Sequence, residues 1–134
     1  MDILAAARAE VINRHAFFVG WFTGKLPESA MEDSARAFAT DMQMIVPDGQ
    51  MIGAAEVVTM LRSARSKRGP DFAIRVEMRE ARLLGDAALI VYDEHQVIEG
   101  AKTARRSSAL FTADPAAPEG VVWRHLQETW LPNE

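Results

Sequence analysis

Cysteine is absent from the 134 residues, which excludes a disulfide framework, thiolate metal ligation and a cysteine nucleophile, and fits a reducing compartment. Also missing is any apolar stretch approaching the ~18 residues that a membrane-spanning helix requires. The start, Met1-Asp2-Ile3-Leu4, has no basic segment followed by an apolar run, so no secretory signal is expected. Positive charge is in deficit. The net charge is −4, whereas a general nucleic-acid binder needs a basic surface to displace counterions. A cytoplasmic protein that meets neither nucleic acid nor membrane is therefore expected. Histidine is scarce as well: His15, His95 and His125 are the only ones, and none stands four residues from another. A metal site would have to be assembled from several elements, so neither a metal nor another cofactor is expected.

What is present is the balance of an ordinary globular chain, 49% hydrophobic and 25% charged, long enough to bury a core without staples. No repeat, low-complexity tract or linker interrupts it, so residues 1–134 read as a single domain. Two basic clusters, Arg62 to Arg68 and Lys102 to Arg106, are local. The first reads as a solvated helix end, where cations complement the dipole.

Along the chain, Asp2 is a good N-cap for a helix running to Phe22, with Leu4, Ala7, Val11, His15, Phe18 and Phe22 on one stripe and Gly24 beyond its end. Ser29 and Glu32 have capping-box spacing and open a second helix with Met31, Ala35 and Phe38 on its buried face. Residues 42–46 read as a short strand, Pro47-Asp48-Gly49 as a turn, and residues 50–52 as a hairpin arm. A third helix is predicted from Ala54 to Ala64, stopped by Arg68-Gly69-Pro70. From Phe72 the period changes to two: Phe72, Ile74, Val76 and Met78 alternate with Ala73, Arg75, Glu77 and Arg79. Turns at Gly85-Asp86 and Glu99-Gly100 bound a strand from Ala87 to Ile98, followed by strands over residues 103–112 and 121–131. Helices at the front and long strands in a meander behind indicate α+β, with three helices covering one face of a strongly curved antiparallel sheet and a pocket where they fail to fill it.

The element order, with Phe38-Ala39-Thr40-Asp41 entering the first strand, Pro47-Asp48-Gly49 leaving it, and the ending Trp123-Arg124-His125-Leu126-Gln127-Glu128-Thr129-Trp130, resembles the SnoaL-like branch of the nuclear transport factor 2-like superfamily. The resemblance covers the whole chain and is greatest to bacterial stand-alone members whose function is not established. It implies a cone-shaped half-barrel, commonly dimeric through the outer sheet face. Members range from ketosteroid isomerase, dehydratases and epoxide hydrolases to non-enzymatic binding modules, so the fold constrains function weakly. The position of the isomerase's general base falls on Val46, which moves no proton, and that of its oxyanion tyrosine falls on His15. The polar sets of limonene epoxide hydrolase and scytalone dehydratase have no match.

Family geometry places Trp123, His125, Gln127 and Thr129 on the concave face of the last strand, and Leu126 and Trp130 on the outer face, where they would support a homodimer. Tyr92, Glu94 and Gln96 share one parity, assigned inward. In the neighbouring strand either Arg106 with Ser108 or Arg105 with Ser107 faces in, with a preference for the first pair. The implied ligand-binding constellation is His15, Phe18, Trp21, Tyr92, Glu94, Arg106, Trp123, His125 and Gln127, with His125, Glu94 and His15 as candidate catalytic residues. A histidine beside a carboxylate supplies proton transfer near neutral pH, and arginine anchors a carboxylate. Against this, His15 reads equally as a satisfied core histidine, Glu94 with Arg106 as a structural ion pair, and the tryptophans as core. A small-molecule-binding domain for a compact ligand with an anionic or polar end is the expected function. The alternatives are a lyase or isomerase, and a dimeric association module.

Overall fold

The computed structural model describes residues 1–132. Helix α1 spans Ile3–Phe22, α2 Ala30–Ala35 and α3 Ala54–Ser63. The strands are β1 Phe38–Ile45, β2 Met51–Gly53, β3 Ala73–Leu84, β4 Ala87–Ile98, β5 Ala101–Ala113 and β6 Val121–Trp130. At the start of α1 the Asp2 carboxylate accepts from the Ala5 N–H at 3.0 Å, which satisfies one of the otherwise orphaned first-turn donors. Its end is followed by Gly24 at φ +76°, a conformation that side chains with a Cβ resist.

Two expectations at the helix starts and ends are corrected. Ser29 makes no side-chain cap bond and α2 closes at Ala35. Phe38 therefore opens β1, four residues before the predicted strand. At α3 the Glu56 carboxylate accepts from the Gly53 N–H at 3.2 Å, the half of a capping box that glycine permits.

All six strands form one curved, unclosed sheet in the order β2-β1-β6-β5-β4-β3. The meander β3 to β6 is antiparallel throughout, but β6 pairs with β1 in parallel. The sheet is thus mixed. After α3 the chain crosses to the far edge, and four strands of short connection bring β6 back beside β1 running the same way. α1 lies across the concave face. Its Ala7, Val11 and His15 are buried, as are Ile90, Phe111 and Trp123 of the strands. Complete burial of a side chain of Ile or Phe size is worth about 1.5–3 kcal/mol, so this layer dominates the core.

Two bulges decide which side chains look inward. Met78 pairs with Tyr92 but Glu80 with Val91, leaving Arg79 extra. Leu110 pairs with His125 but Phe111 with Trp123, leaving Arg124 extra. An extra residue on one strand bends it and reverses the facing of all that follows.

Candidate functional site

The concave face is a grid set by register. One row across the sheet is Tyr92, Ser107 and Glu128; the next is Glu94, Arg105 and Trp130. Above them stands His15 of α1. His15, Tyr92, Glu94, Arg105 and Glu128, together with Phe18, Phe38, Met42, Leu61 and Trp123, wall a cavity of about 130 Å³, open at a rim that includes Met44, Met60, Ile74 and Gln96.

The His15 ring is held at both nitrogens. Nδ1 lies 2.7 Å from the Val11 carbonyl oxygen, which only accepts, so Nδ1 carries a proton. Nε2 lies 2.8 Å from Glu94 Oε1. Burial opposes a charge on His15, but the hydrogen bond and charge of Glu94 more than offset it, and its pKa is raised above 6.5. Burial likewise opposes the Glu94 carboxylate, but the hydrogen bond and charge of His15, with Arg105 and Gln96, together outweigh it and hold its pKa below 4.5. The two shifts agree on an imidazolium–carboxylate pair. The Gln96 amide donates to the second Glu94 oxygen.

Arg105 Nη1 donates to Glu128 at 3.2 Å, and its guanidinium carbon sits 4.5 Å from the centre of the Trp130 ring, within cation–π range. Burial pushes the Glu128 pKa up, and the charge of Glu94 adds to the effect against Arg105. Three buried polar atoms have no hydrogen-bond partner among the described residues: the Tyr92 and Ser107 hydroxyls and Arg105 Nε. Tyr92 and Ser107 are fully buried. Burial raises the Tyr92 pKa well above 10, so the phenol stays protonated and able to donate.

Trp123 is fixed from behind. Its indole Nε1 donates to Glu10 Oε2 at 2.7 Å, and Glu10 is clasped in a bidentate pair by Arg14 at 2.7 and 2.9 Å. Arg14 also donates to Ser34 at 2.9 Å. Glu10 is completely buried with both oxygens engaged, as a buried charge requires. The i, i+4 pair of charges on an apolar helix was the available signal for this network, and the sequence reading missed it.

His15, Phe18, Tyr92, Glu94 and Trp123 of the predicted constellation line the cavity. Four do not. Trp21 is buried, but its Nε1 donates to the Leu61 carbonyl at 2.6 Å and ties α1 to α3. Arg106 turns to the outer face and Arg105 faces in, since register sets Arg105 beside Glu94 and Arg106 beside Asp93. His125 and Gln127 also lie on the outer face, opposite Leu110 and Ser108. The Arg124 bulge moves them there and brings Leu126 and Glu128 into the cavity. The outer apolar patch expected of Leu126 and Trp130 therefore does not exist: both belong to the concave side, Leu126 in the wall and Trp130 half-exposed at the end of β6. The spacing of three between Trp123 and Leu126 in an alternating strand was the missed sign of the bulge.

On the outer face the Asp93 carboxylate accepts from Arg106 at 2.8 and 3.1 Å and from Arg79 at 2.8 Å. The Arg106 hydrogen bonds, helped by Arg79 against burial, lower its pKa. Glu77, Asp93 and His95 bring ligand-type atoms within 4.8 Å of one another. With Asp93 taken by two guanidinium groups, that cluster is already charge-compensated and argues against a cation there.

Residues 7–132 match the family described as sucrose-6-phosphate phosphohydrolase C-terminal. The chain belongs to that family. No curated protein matches it. Among solved structures, an NTF2-like protein of unknown function from Pseudomonas aeruginosa is 27% identical, with a TM-score of 0.80 over 95% of this chain and 99% of the other. A ketosteroid isomerase-like protein from Erwinia carotovora atroseptica shares the fold at 13% identity and TM-score 0.69, covering 98% of each chain. A calcium/calmodulin-dependent protein kinase type II association domain from Thiobacillus denitrificans does so at 19% and 0.64, over 96% of this chain and 94% of the other. The nuclear transport factor 2-like fold read from the sequence is thus the fold of this family member. No helix among the described residues is long and apolar enough to cross a membrane.

Proposed function

We propose that residues 1–134 form one cytoplasmic small-molecule-binding domain whose ligand lies in the cone beneath α1. The observation that carries this reading is an apolar, aromatic-walled cavity lined by Tyr92 and Arg105, each with a buried polar atom that lacks a partner. Buried polar groups of folded proteins are nearly always satisfied, and a ligand supplies what the fold leaves open. A cavity of 130 Å³ suits a single ring, since an apolar cavity of about 150 Å³ accommodates benzene. The phosphorylated disaccharide in the family's name has roughly 27 non-hydrogen atoms and is several times too large by that scale.

Proton transfer by His15 and Glu94, the lyase or isomerase alternative, has less support. Both imidazole nitrogens are occupied, and the pair is stabilised in its charged form, whereas a general base needs a free acceptor within reach of substrate. The remaining alternative, association of copies, draws on the fold shared with association domains. The binding reading is tested with Met60→Trp, which plugs the rim from a half-exposed position. Ligand-observed NMR with a panel of single-ring compounds should detect binding to the wild type and none to the variant. Equal signals from both place the probes elsewhere and defeat the reading.

A further inference from the structure

The charged groups of the cavity settle one another. Among the described residues only His15, Glu94, Arg105 and Glu128 of its lining are ionisable to a full charge near neutrality. They form two opposite pairs, His15 with Glu94 at 2.8 Å and Arg105 with Glu128 at 3.2 Å. Two positive and two negative groups leave no surplus of either sign. An ionised ligand would enter a desolvating, aromatic space without a counter-ion, or would have to break a buried pair, and both are unfavourable by large factors.

What the cavity does offer is neutral and directional. The Tyr92 hydroxyl is buried, protonated and unpartnered. Arg105 Nε–H is likewise unpartnered and stands 4.0 Å from Glu94 Oε2, beyond hydrogen-bond range. Tyr92 pairs with Ser107 across the β4–β5 ladder and Glu94 with Arg105. Tyr92 and Arg105 are therefore diagonal neighbours on one face, about 7–8 Å apart at the backbone and within reach of a shared oxygen between long side chains. Three of the four carboxylate oxygens of the lining already accept, from His15, Gln96 and Arg105, whereas the Tyr92 hydroxyl and Arg105 Nε–H have no acceptor among the described residues.

We infer that the ligand is an uncharged compound of single-ring size, carrying one oxygen acceptor that Tyr92 and Arg105 receive while the ring packs between Phe18 and Trp123. The inference rests on the binding reading above and specifies its ligand class. Of the anionic or polar end expected from the sequence, it selects the polar one.

The test uses four probes of one size: toluene, benzyl alcohol, benzoate and benzylammonium, titrated by calorimetry at neutral pH into wild type and Tyr92→Phe. Benzyl alcohol should bind wild type at least about three- to tenfold more tightly than toluene, the factor expected of the neutral Tyr92 hydrogen bond alone, and benzoate and benzylammonium more weakly than either. Tyr92→Phe should not lower the melting temperature, since no partner lies within hydrogen-bond distance of the hydroxyl among the described residues, and should reduce the preference for the alcohol by about that factor while retaining toluene. Tighter binding of benzoate, or an unchanged preference for the alcohol in Tyr92→Phe, overturns the inference and leaves the binding site standing. Failure of all four probes to bind overturns the reading on which it depends.

Discussion

Replacing Glu94 by Gln separates a structural ion pair from a catalytic dyad, because it keeps the shape and removes only the charge. In the wild type His15 has its pKa raised, so the stability it contributes is complete below 6.5, its unfolded value, and declines as pH rises through the folded pKa. Glu94 has its pKa lowered, so its contribution is present above 4.5 and is lost as pH falls through the folded value. The pair is therefore worth most between pH 4.5 and 6.5. In Glu94→Gln the burial of His15 is opposed only by the Val11 hydrogen bond and the Glu128 charge, so its pKa falls below the wild-type value. The neutral ring keeps Nδ1–H on Val11 and accepts an amide hydrogen at Nε2, so no group is orphaned. The loss at pH 6 should be that of a hydrogen bond between charged partners, about 1.5–3 kcal/mol, well short of the ~3–5 kcal/mol that an unpaired buried charge costs. Urea unfolding followed by tryptophan fluorescence from about pH 5.5 to 8.5 measures both proteins. The gap between the two should narrow as pH rises, and the His15 ring resonance in NMR should titrate at lower pH in the variant than in the wild type. Glu128, whose raised pKa owes part to the Glu94 charge, narrows the gap in the same direction, so the His15 ring resonance carries the decision. A gap that stays constant with pH, or grows, refutes the charged pair.

Three further outcomes follow from the same geometry. Arg14→Met strands a fully buried Glu10 and should lower stability by about 3–5 kcal/mol, while Glu10→Gln added to it restores a large part; melts of the two variants check this, and equal losses would contradict it. Asp93→Asn should cost no more than about 1 kcal/mol, because both guanidinium partners are half-exposed and screened, and should flatten the fall in stability on acidification that a lowered carboxylate pKa produces. Leu126→Lys places a charge in the cavity wall and should yield unfolded protein by circular dichroism; a folded, soluble monomer from that substitution, seen by analytical ultracentrifugation against an oligomeric wild type, would mean that Leu126 lies on an outer interface.

Element types were legible because their signals are local. The α1 stripe needs only a period, its Asp2 cap only one side chain, and β4 emerged with its predicted limits because turns at Gly85 and Gly100 bracket a clean alternation. Ser29 marked the start of α2 without making the side-chain bond of a capping box, and the helical face drawn as far as Phe38 failed because Phe38 and Ala39 enter the buried sheet. The parallel pairing of β1 with β6 joins residues some eighty positions apart in sequence, and nothing in either segment announces its partner.

The site was harder to read than the fold for a definite reason. Facing in a strand is a parity, so an error of one residue does not blur a prediction but inverts it. Glu94 was placed correctly because β4 carries no extra residue ahead of it, and the pairing Glu94 to Arg105 then fixes β5 without choice. In β6 the extra Arg124, its guanidinium held by Asp41 at 2.6 Å on the outer face, turns a predicted His125 and Gln127 lining into one of Leu126 and Glu128. That single insertion exchanges an imidazole for a carboxylate tied to Arg105, and so removes from the cavity the one candidate base of β6 the sequence had offered. The chemistry of the cone thus depends more on where β6 bulges than on which polar residues β6 contains. Two unpartnered donors at Tyr92 and Arg105 are what remains on that face, and they favour holding a neutral ligand over transforming one.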